Sequence, residues 1–458
     1  MNLTKVIQTS KTSGDRLTEK QGLILGITKG NGAILKINAN KTFQKIIGFG
    51  GAFTEATAYT LDRMETGKRQ EIINKYFHPV EGIGYSIGRV HINSCDFSLG
   101  NYTYVQENDK ELKTFDLSHE KKWVFPLIKD AIKARKADIA LLASPWSPPA
   151  WMKTNGKMNE GGKLLPEFRD TWALYYTKFI KAAKEEDLNV WAITVQNEPA
   201  AAPPWDSCEY MPEEERDFVR DHLGPIMERE GLKHINIYIF DHNRDIMIER
   251  VFAVLDDPKA AKYVYGSANH WYMSEEFEIL SKVHHKYPDK HLIFSEGCQE
   301  GGLHLGSWLT GERYGRNMIG DFNNWQEGWL DWNLVLDEMG GPNHVGNYCD
   351  APIVADTKTQ EIHYNSSYYY IGQFSKFVKP GAFRIQVSIE ETTTLQHVAF
   401  LNEDGTIVLI VMNETDKAEG FNVEIEGKFV SYNLEEHSIV TLIFYDYMKV
   451  GGTNGSEI

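Results

Sequence analysis

Cysteine is sparse in this 458-residue chain, which has Cys95, Cys208, Cys298 and Cys349 and no C-x-x-C pair. That pattern supports neither a zinc ribbon nor a disulfide framework. Basic charge is also short. With 48 Lys and Arg against 64 Asp and Glu, the formal net charge is −16, so the cationic patches that bind nucleic acid or anionic membrane surfaces are not expected. No run approaches the roughly 18 apolar residues of a membrane span, and no membrane insertion is expected. Residues 1–22 lack the apolar core of a secretory signal, which predicts a cytoplasmic protein, secreted only if a signal preceded this chain. A phosphate-binding turn is missing too. Gly48-Phe49-Gly50-Gly51 starts like G-x-G-x-x-G, but its third glycine position is Phe53.

Aromatic residues are abundant. They form 12% of the chain, with 11 Trp and 22 Tyr, and suit either a large core or stacking on the apolar faces of sugar rings. From residue 46, strand-like apolar runs at 46–49, 85–91, 139–144, 190–196, 235–241, 263–270, 291–295 and 329–333 alternate with other material, including helical stretches at 168–186, 213–230 and 275–286. Strands recurring roughly every 40 residues with helices between them predict an α/β fold, a (β/α)8 TIM barrel. An open doubly wound sheet is the alternative, and it would want the glycine-rich turn this chain lacks.

After about residue 366, short strands at 395–401, 406–413, 421–425 and 438–444, with turns such as Asn402-Glu403-Asp404-Gly405 between them, predict a flanking antiparallel β-sandwich. Strand-like runs at 23–25 and 33–37 cannot bury themselves and are assigned to that sandwich. The expected organisation is N-terminal sandwich strands 1–45, a catalytic barrel 46–365 and a C-terminal sandwich 366–458.

The run Trp191-Ala192-Ile193-Thr194-Val195-Gln196-Asn197-Glu198-Pro199 is β-branched and apolar until it meets a proline, which cannot donate to a strand ladder. It therefore presents Asn197 and Glu198 at a strand's carboxyl end, where TIM barrels do chemistry. His291-Leu292-Ile293-Phe294-Ser295-Glu296-Gly297 ends the same way. Retaining glycoside hydrolysis needs two carboxyl groups about 5 Å apart, one to protonate the leaving oxygen and one to attack the anomeric carbon.

Glu198 as the acid is expected among apolar or anionic neighbours that raise its pKa. Glu296 as the nucleophile is expected near donors such as Arg89, His270 or Tyr272. The Asn197 amide can hold a sugar 2-hydroxyl, Asp96 can accept from two vicinal hydroxyls, and Trp146 and Trp332 can wall the pocket.

These segments, together with Gly48-Phe49-Gly50-Gly51-Ala52-Phe53-Thr54-Glu55-Ala56, Ser144-Pro145-Trp146-Ser147-Pro148-Pro149-Ala150-Trp151, His270-Trp271-Tyr272 and Gly340-Gly341-Pro342-Asn343, resemble glycoside hydrolase family 30, the family of the glucosylceramidases. The stretch from Glu198 to Cys208 is similar to bacterial members. The resemblance implies a barrel fused to a sandwich built from both chain ends, a retaining mechanism and no cofactor. It implies acid/base and nucleophile roles for Glu198 and Glu296. It assigns Asp96, Trp146, Asn197, Trp332 and Asn347 to the sugar pocket, and Arg89, His270 and Tyr272 to the surroundings of the nucleophile.

The expected activity is that of an exo-acting retaining β-glucosidase of glucosylceramidase type, on a small β-glucoside, an oligosaccharide or a glycolipid. A β-1,6-glucosidase or glucanase, a β-xylosidase and an inactive carbohydrate-binding protein are the alternatives. The sequence leaves oligomeric state open.

Overall fold

A computed structural model describes residues 3–445. The chain forms two compact units. One gathers the residues up to Gly48, Gly306–Glu327 and the chain from Tyr364 onward, and the other is Phe49–Leu305 with Gly328–His363.

The second unit is built on a closed eight-stranded barrel. Its strands are β1 (Gly48–Ala52), β2 (Ile87–Ile92), β3 (Ala140–Pro145), β4 (Val190–Thr194), β5 (Asn236–Asn243), β6 (Gly266–His270), β7 (His291–Glu296) and β8 (Gly328–Asn333). Neighbours from β1 to β8 pair in parallel. Almost every strand residue is buried, as expected when helices cover a parallel sheet. The Gly48-Phe49-Gly50-Gly51 run is not a phosphate turn but β1 itself. A Cβ on Gly50 would lie 1.9 Å from the Ile87 carbonyl oxygen of β2, so only glycine lets the strands approach this closely.

Between β3 and β4, the helix Arg169–Glu185 buries Trp172, Ala173, Tyr176, Phe179, Ile180 and Ala183, one stripe at helical spacing. The helix expected over 213–230 is instead Pro212–Phe218 and Gly224–Arg229 joined by a π-turn at Val219–Leu223. Pro225 lacks the N–H that the carbonyl four residues back needs, and its ring crowds that carbonyl, so the ladder widens there.

The other unit carries a nine-stranded sheet that includes Leu3–Ser10, Thr18–Ile24 and Ala33–Lys45 from the amino-terminal end and six strands after residue 382. Leu3–Ser10 pairs with Ser438–Phe444, and Ala33–Lys45 with Phe383–Glu390. The sheet folds over one apolar core that includes Val6, Leu35, Leu409, Phe421 and Leu442. Tyr432, on the strand at one edge, donates to Gln8 Oε1 near the other edge at 2.7 Å.

One expectation about this unit is corrected. The sandwich is not wholly antiparallel, because Glu419–Ile425 runs parallel to Ala33–Lys45. The helix Leu309–Asn323 packs on Ser366–Ser375. Thr310 and Ser366 hydroxyls meet at 2.9 Å, and Gly311 and Gly315 allow close approach of Tyr370. Among the described residues no helix is long and apolar enough to cross a membrane.

Candidate active site

The carboxyl ends of β2 to β8 converge on Arg89, which is fully buried on β2. Its Nη1 donates to Glu296 Oε2 at 2.5 Å, Nη2 to Asn197 Oδ1 at 2.9 Å and to Asp241 Oδ2 at 2.7 Å, and Nε to Ser144 Oγ at 3.1 Å. A planar guanidinium is the side chain that can serve four partners in fixed directions. Its face lies over the Trp146 ring at 4.7 Å, and Trp146 stacks on Trp332 with ring centroids 5.2 Å apart.

Asp241 is the buried counter-charge. Its Oδ2 also accepts from Thr194 Oγ1 at 2.7 Å, and its Oδ1 accepts from Ser295 Oγ at 2.6 Å and His270 Nε2 at 3.0 Å. Pairing between β5 and β6 slips between Phe240 and His242, leaving Asp241 as the extra residue. Such bulges re-aim side chains beside active sites. Asp241 (φ 47°) and Glu198 (φ 48°) both have left-handed backbone, and the Glu198 N–H donates to the Asp241 carbonyl at 2.9 Å. Each such conformation costs about 1–3 kcal/mol and persists only where its surroundings fix it.

His270 joins the two carboxylates, with Nδ1 3.0 Å from Glu198 Oε1 and Nε2 on Asp241. Burial alone would lower this imidazole, but the charge of Glu296 and the hydrogen bonds to Asp241 and Glu198 raise it to about 9. At neutral pH it is therefore an imidazolium that donates to both.

Burial would likewise raise Glu198, but the imidazoles of His242 and His270 outweigh it and hold the carboxyl below the usual range. Its expected apolar or anionic surroundings are therefore corrected: the neighbours are two histidines. Burial raises Glu296, and the charge of Glu198 adds to that, against His270 and Arg89. Tyr272 donates its hydroxyl to Glu296 Oε1 at 2.9 Å. Of the three donors expected around Glu296, Arg89 and Tyr272 touch it, whereas His270 acts on it through charge alone.

Above this cluster lies a cavity of about 230 Å³. Glu198, Glu296, Asp96, Trp146, Asn197, Tyr272, Trp332 and Asn347 all line it. Arg89 and His270, fully buried, do not. They lie behind the lining, Arg89 bonded to Glu296 and His270 to Glu198, in the surroundings of the nucleophile where they were expected. Asp96 Oδ2 accepts from Asn343 Nδ2 at 3.0 Å and Asn347 Nδ2 at 3.1 Å, while burial pushes its carboxyl up to about 7 against those two hydrogen bonds. Trp205, Asn243, Cys298, Glu300 and Cys349 complete the lining.

Asp241 and His242 escaped the sequence reading, although the strand expected over 235–241 ends in a carboxylate as the strands of Glu198 and Glu296 do. A strand-end aspartate without a following proline or glycine offers no local reason to single it out.

Residues 46–378 match the glycosyl hydrolase family 30 TIM-barrel domain, and residues 381–442 match the family 30 β-sandwich domain. The chain is 37% identical over 426 residues to lysosomal acid glucosylceramidase of Mus musculus, covering 89% of this chain and 82% of that protein. The crystal structure of SrfJ from Salmonella typhimurium superposes with a TM-score of 0.92 at 34% identity, covering 97% of this chain and 99% of that one. The endo-β1,6-glucanase BT3312 superposes at 0.87 with 30% identity and the same coverage. The chain belongs to glycoside hydrolase family 30 and is a glycoside hydrolase.

Proposed function

We propose that this family 30 hydrolase is a retaining, exo-acting β-glucosidase of glucosylceramidase type. The observation that carries the reading is that Glu198 and Glu296 line one cavity with Arg89 bonded beneath Glu296 and His270 beneath Glu198. Glu296 is aimed by Arg89 and Tyr272, one donor per oxygen, and attacks the anomeric carbon. Glu198 draws the proton of the His270 imidazolium across their 3.0 Å hydrogen bond and passes it to the leaving oxygen. In the second step Glu296 is an ester without charge, and Glu198 deprotonates the water that releases the sugar.

The exo reading is supported by size. A cavity of about 230 Å³ is smaller than the usual small-molecule site and suits one terminal sugar better than a stretch of polymer. The glucosyl preference and a lipid aglycone are supported by the likeness to the murine enzyme. A second reading, a β-1,6-glucanase, is supported by the likeness to BT3312.

A hydrolysis panel of aryl β-glucoside, aryl β-xyloside, gentiobiose, β-1,6-glucan and glucosylceramide, with Glu296→Gln as control, tests the reading. Turnover of the glucosides, with the lipid preferred over gentiobiose and glucan, is expected. Preference for the glucan would favour the second reading, and preference for the xyloside would overturn the sugar assignment.

A further inference from the structure

We propose that Glu198, His242 and His270 form a binding site for a divalent transition cation of the zinc class, and that a cation held there stops turnover. The donor atoms, Glu198 Oε1 and one ring nitrogen of each histidine, all lie within 4.8 Å of one another. Glu198 Oε1 is 3.0 Å from His270 Nδ1 and 3.6 Å from His242 Nδ1. A tetrahedral ion with bonds of about 2.0–2.1 Å holds its donors about 3.4 Å apart, so these two separations bracket one edge of its coordination shell.

Two further observations point to a ligand. His242 is 93% buried, and its Nδ1 has no hydrogen-bond partner among the described residues, although it sits beside a carboxylate. Glu198 Oε1, at 3.6 Å, is within ion-pair range of that nitrogen but too far for a hydrogen bond, and a metal between the two would bond both. His270 meanwhile bonds Asp241 through its other nitrogen at 3.0 Å. That is the carboxylate–imidazole–metal arrangement by which metal sites fix a histidine's orientation and raise its basicity.

Two imidazoles and one carboxylate select zinc, copper or nickel over magnesium and calcium, which prefer all-oxygen shells. Glu198 and the neighbouring Asn243 line the cavity, so the fourth position opens on space where water or a substrate oxygen fits. On binding, His270 gives its Nδ1 proton to solvent and the cation takes that proton's place between His270 and Glu198.

Binding follows from geometry alone, whereas the loss of turnover rests on Glu198 being the acid/base. Zn²⁺ is titrated calorimetrically into metal-free wild-type chain and into Glu198→Gln and His242→Asn. The Co²⁺-loaded wild type is examined by visible absorption. One site per chain is expected, weakened about tenfold or more in each variant, with the intense band of tetrahedral Co²⁺. Glu198→Gln is nearly isosteric, so a folded protein lacking the anionic ligand is available even if His242→Asn is unstable.

No binding, or an isotherm that both variants leave unchanged, overturns the proposal. Inhibition is read separately, as turnover of an aryl β-glucoside against site occupancy. A filled site with undiminished turnover leaves the cation site standing and overturns the acid/base assignment of Glu198.

Discussion

Arg89 donates through Nη2 to Oδ1 of Asn197 at 2.9 Å, and that bond decides which way the Asn197 amide faces. With its oxygen turned down onto the guanidinium, the amide Nδ2 is the atom offered to the cavity that Asn197 lines. Asn197 can therefore donate to a sugar 2-hydroxyl, the contact that strengthens as an oxocarbenium-like transition state forms.

Replacing Asn197 with Ala is expected to lower kcat/KM on an aryl β-glucoside by about 10²–10³-fold, since such a contact contributes several kcal/mol in the transition state. The same variant should lose little on the matching 2-deoxy glucoside, which has no 2-hydroxyl to hold. Equal losses on both substrates would show that Asn197 acts on something other than that hydroxyl.

Glu198→Ala is expected to retain slow glycosylation with an activated aryl leaving group, because such a group departs without a proton. Added azide should then raise the overall rate by attacking the glycosyl-enzyme, and the product should be the β-glycosyl azide. An α-azide, or no effect of azide at any concentration, would place the acid/base elsewhere.

Arg89 offsets the buried charges of Asp241 and Glu296 at once. Arg89→Met leaves both carboxylates without their cation, which should cost about 3–5 kcal/mol of stability. Denaturant unfolding followed by tryptophan fluorescence measures it. A loss below about 1 kcal/mol would mean the network readjusts around the missing cation.

His270 sets a pH window for stability. Its folded pKa, raised to about 9, lies above the roughly 6.5 of an unfolded histidine. Its contribution is therefore fully present below pH 6.5 and is lost as pH rises through about 9. Melting temperature should fall across that interval in the wild type, while His270→Gln, which has nothing to titrate, should run flatter. Parallel profiles for the two proteins would contradict the raised imidazole.

The barrel was legible because parallel strands buried on both faces leave continuous apolar runs, and each of the eight runs read from the sequence overlaps a barrel strand. Glu198 and Glu296 were legible because a proline and a glycine stop their strands just past a carboxylate. Asp241 was not, since what makes it special is a bulge and a left-handed backbone, which arise from strand pairing rather than from local composition. Leu3–Ser10 also escaped. Its Thr4, Gln8, Thr9 and Ser10 are polar yet buried, so no apolar pattern announces a strand. The surroundings of Glu198 were misread for a related reason. His242 comes from β5 and His270 from β6, and only barrel closure brings them to one carboxyl group.

The most direct test of the account is trapping with 2-deoxy-2-fluoro-β-glucosyl fluoride, whose fluorine at C2 slows both steps while its good leaving group lets the first proceed. Intact-mass spectrometry should show one fluoroglucosyl adduct per chain, and peptide mapping should place it on Glu296. An adduct on another residue would contradict the assignment of Glu296 as nucleophile. Failure to form any adduct in protein that turns over an aryl β-glucoside would contradict the double-displacement mechanism itself.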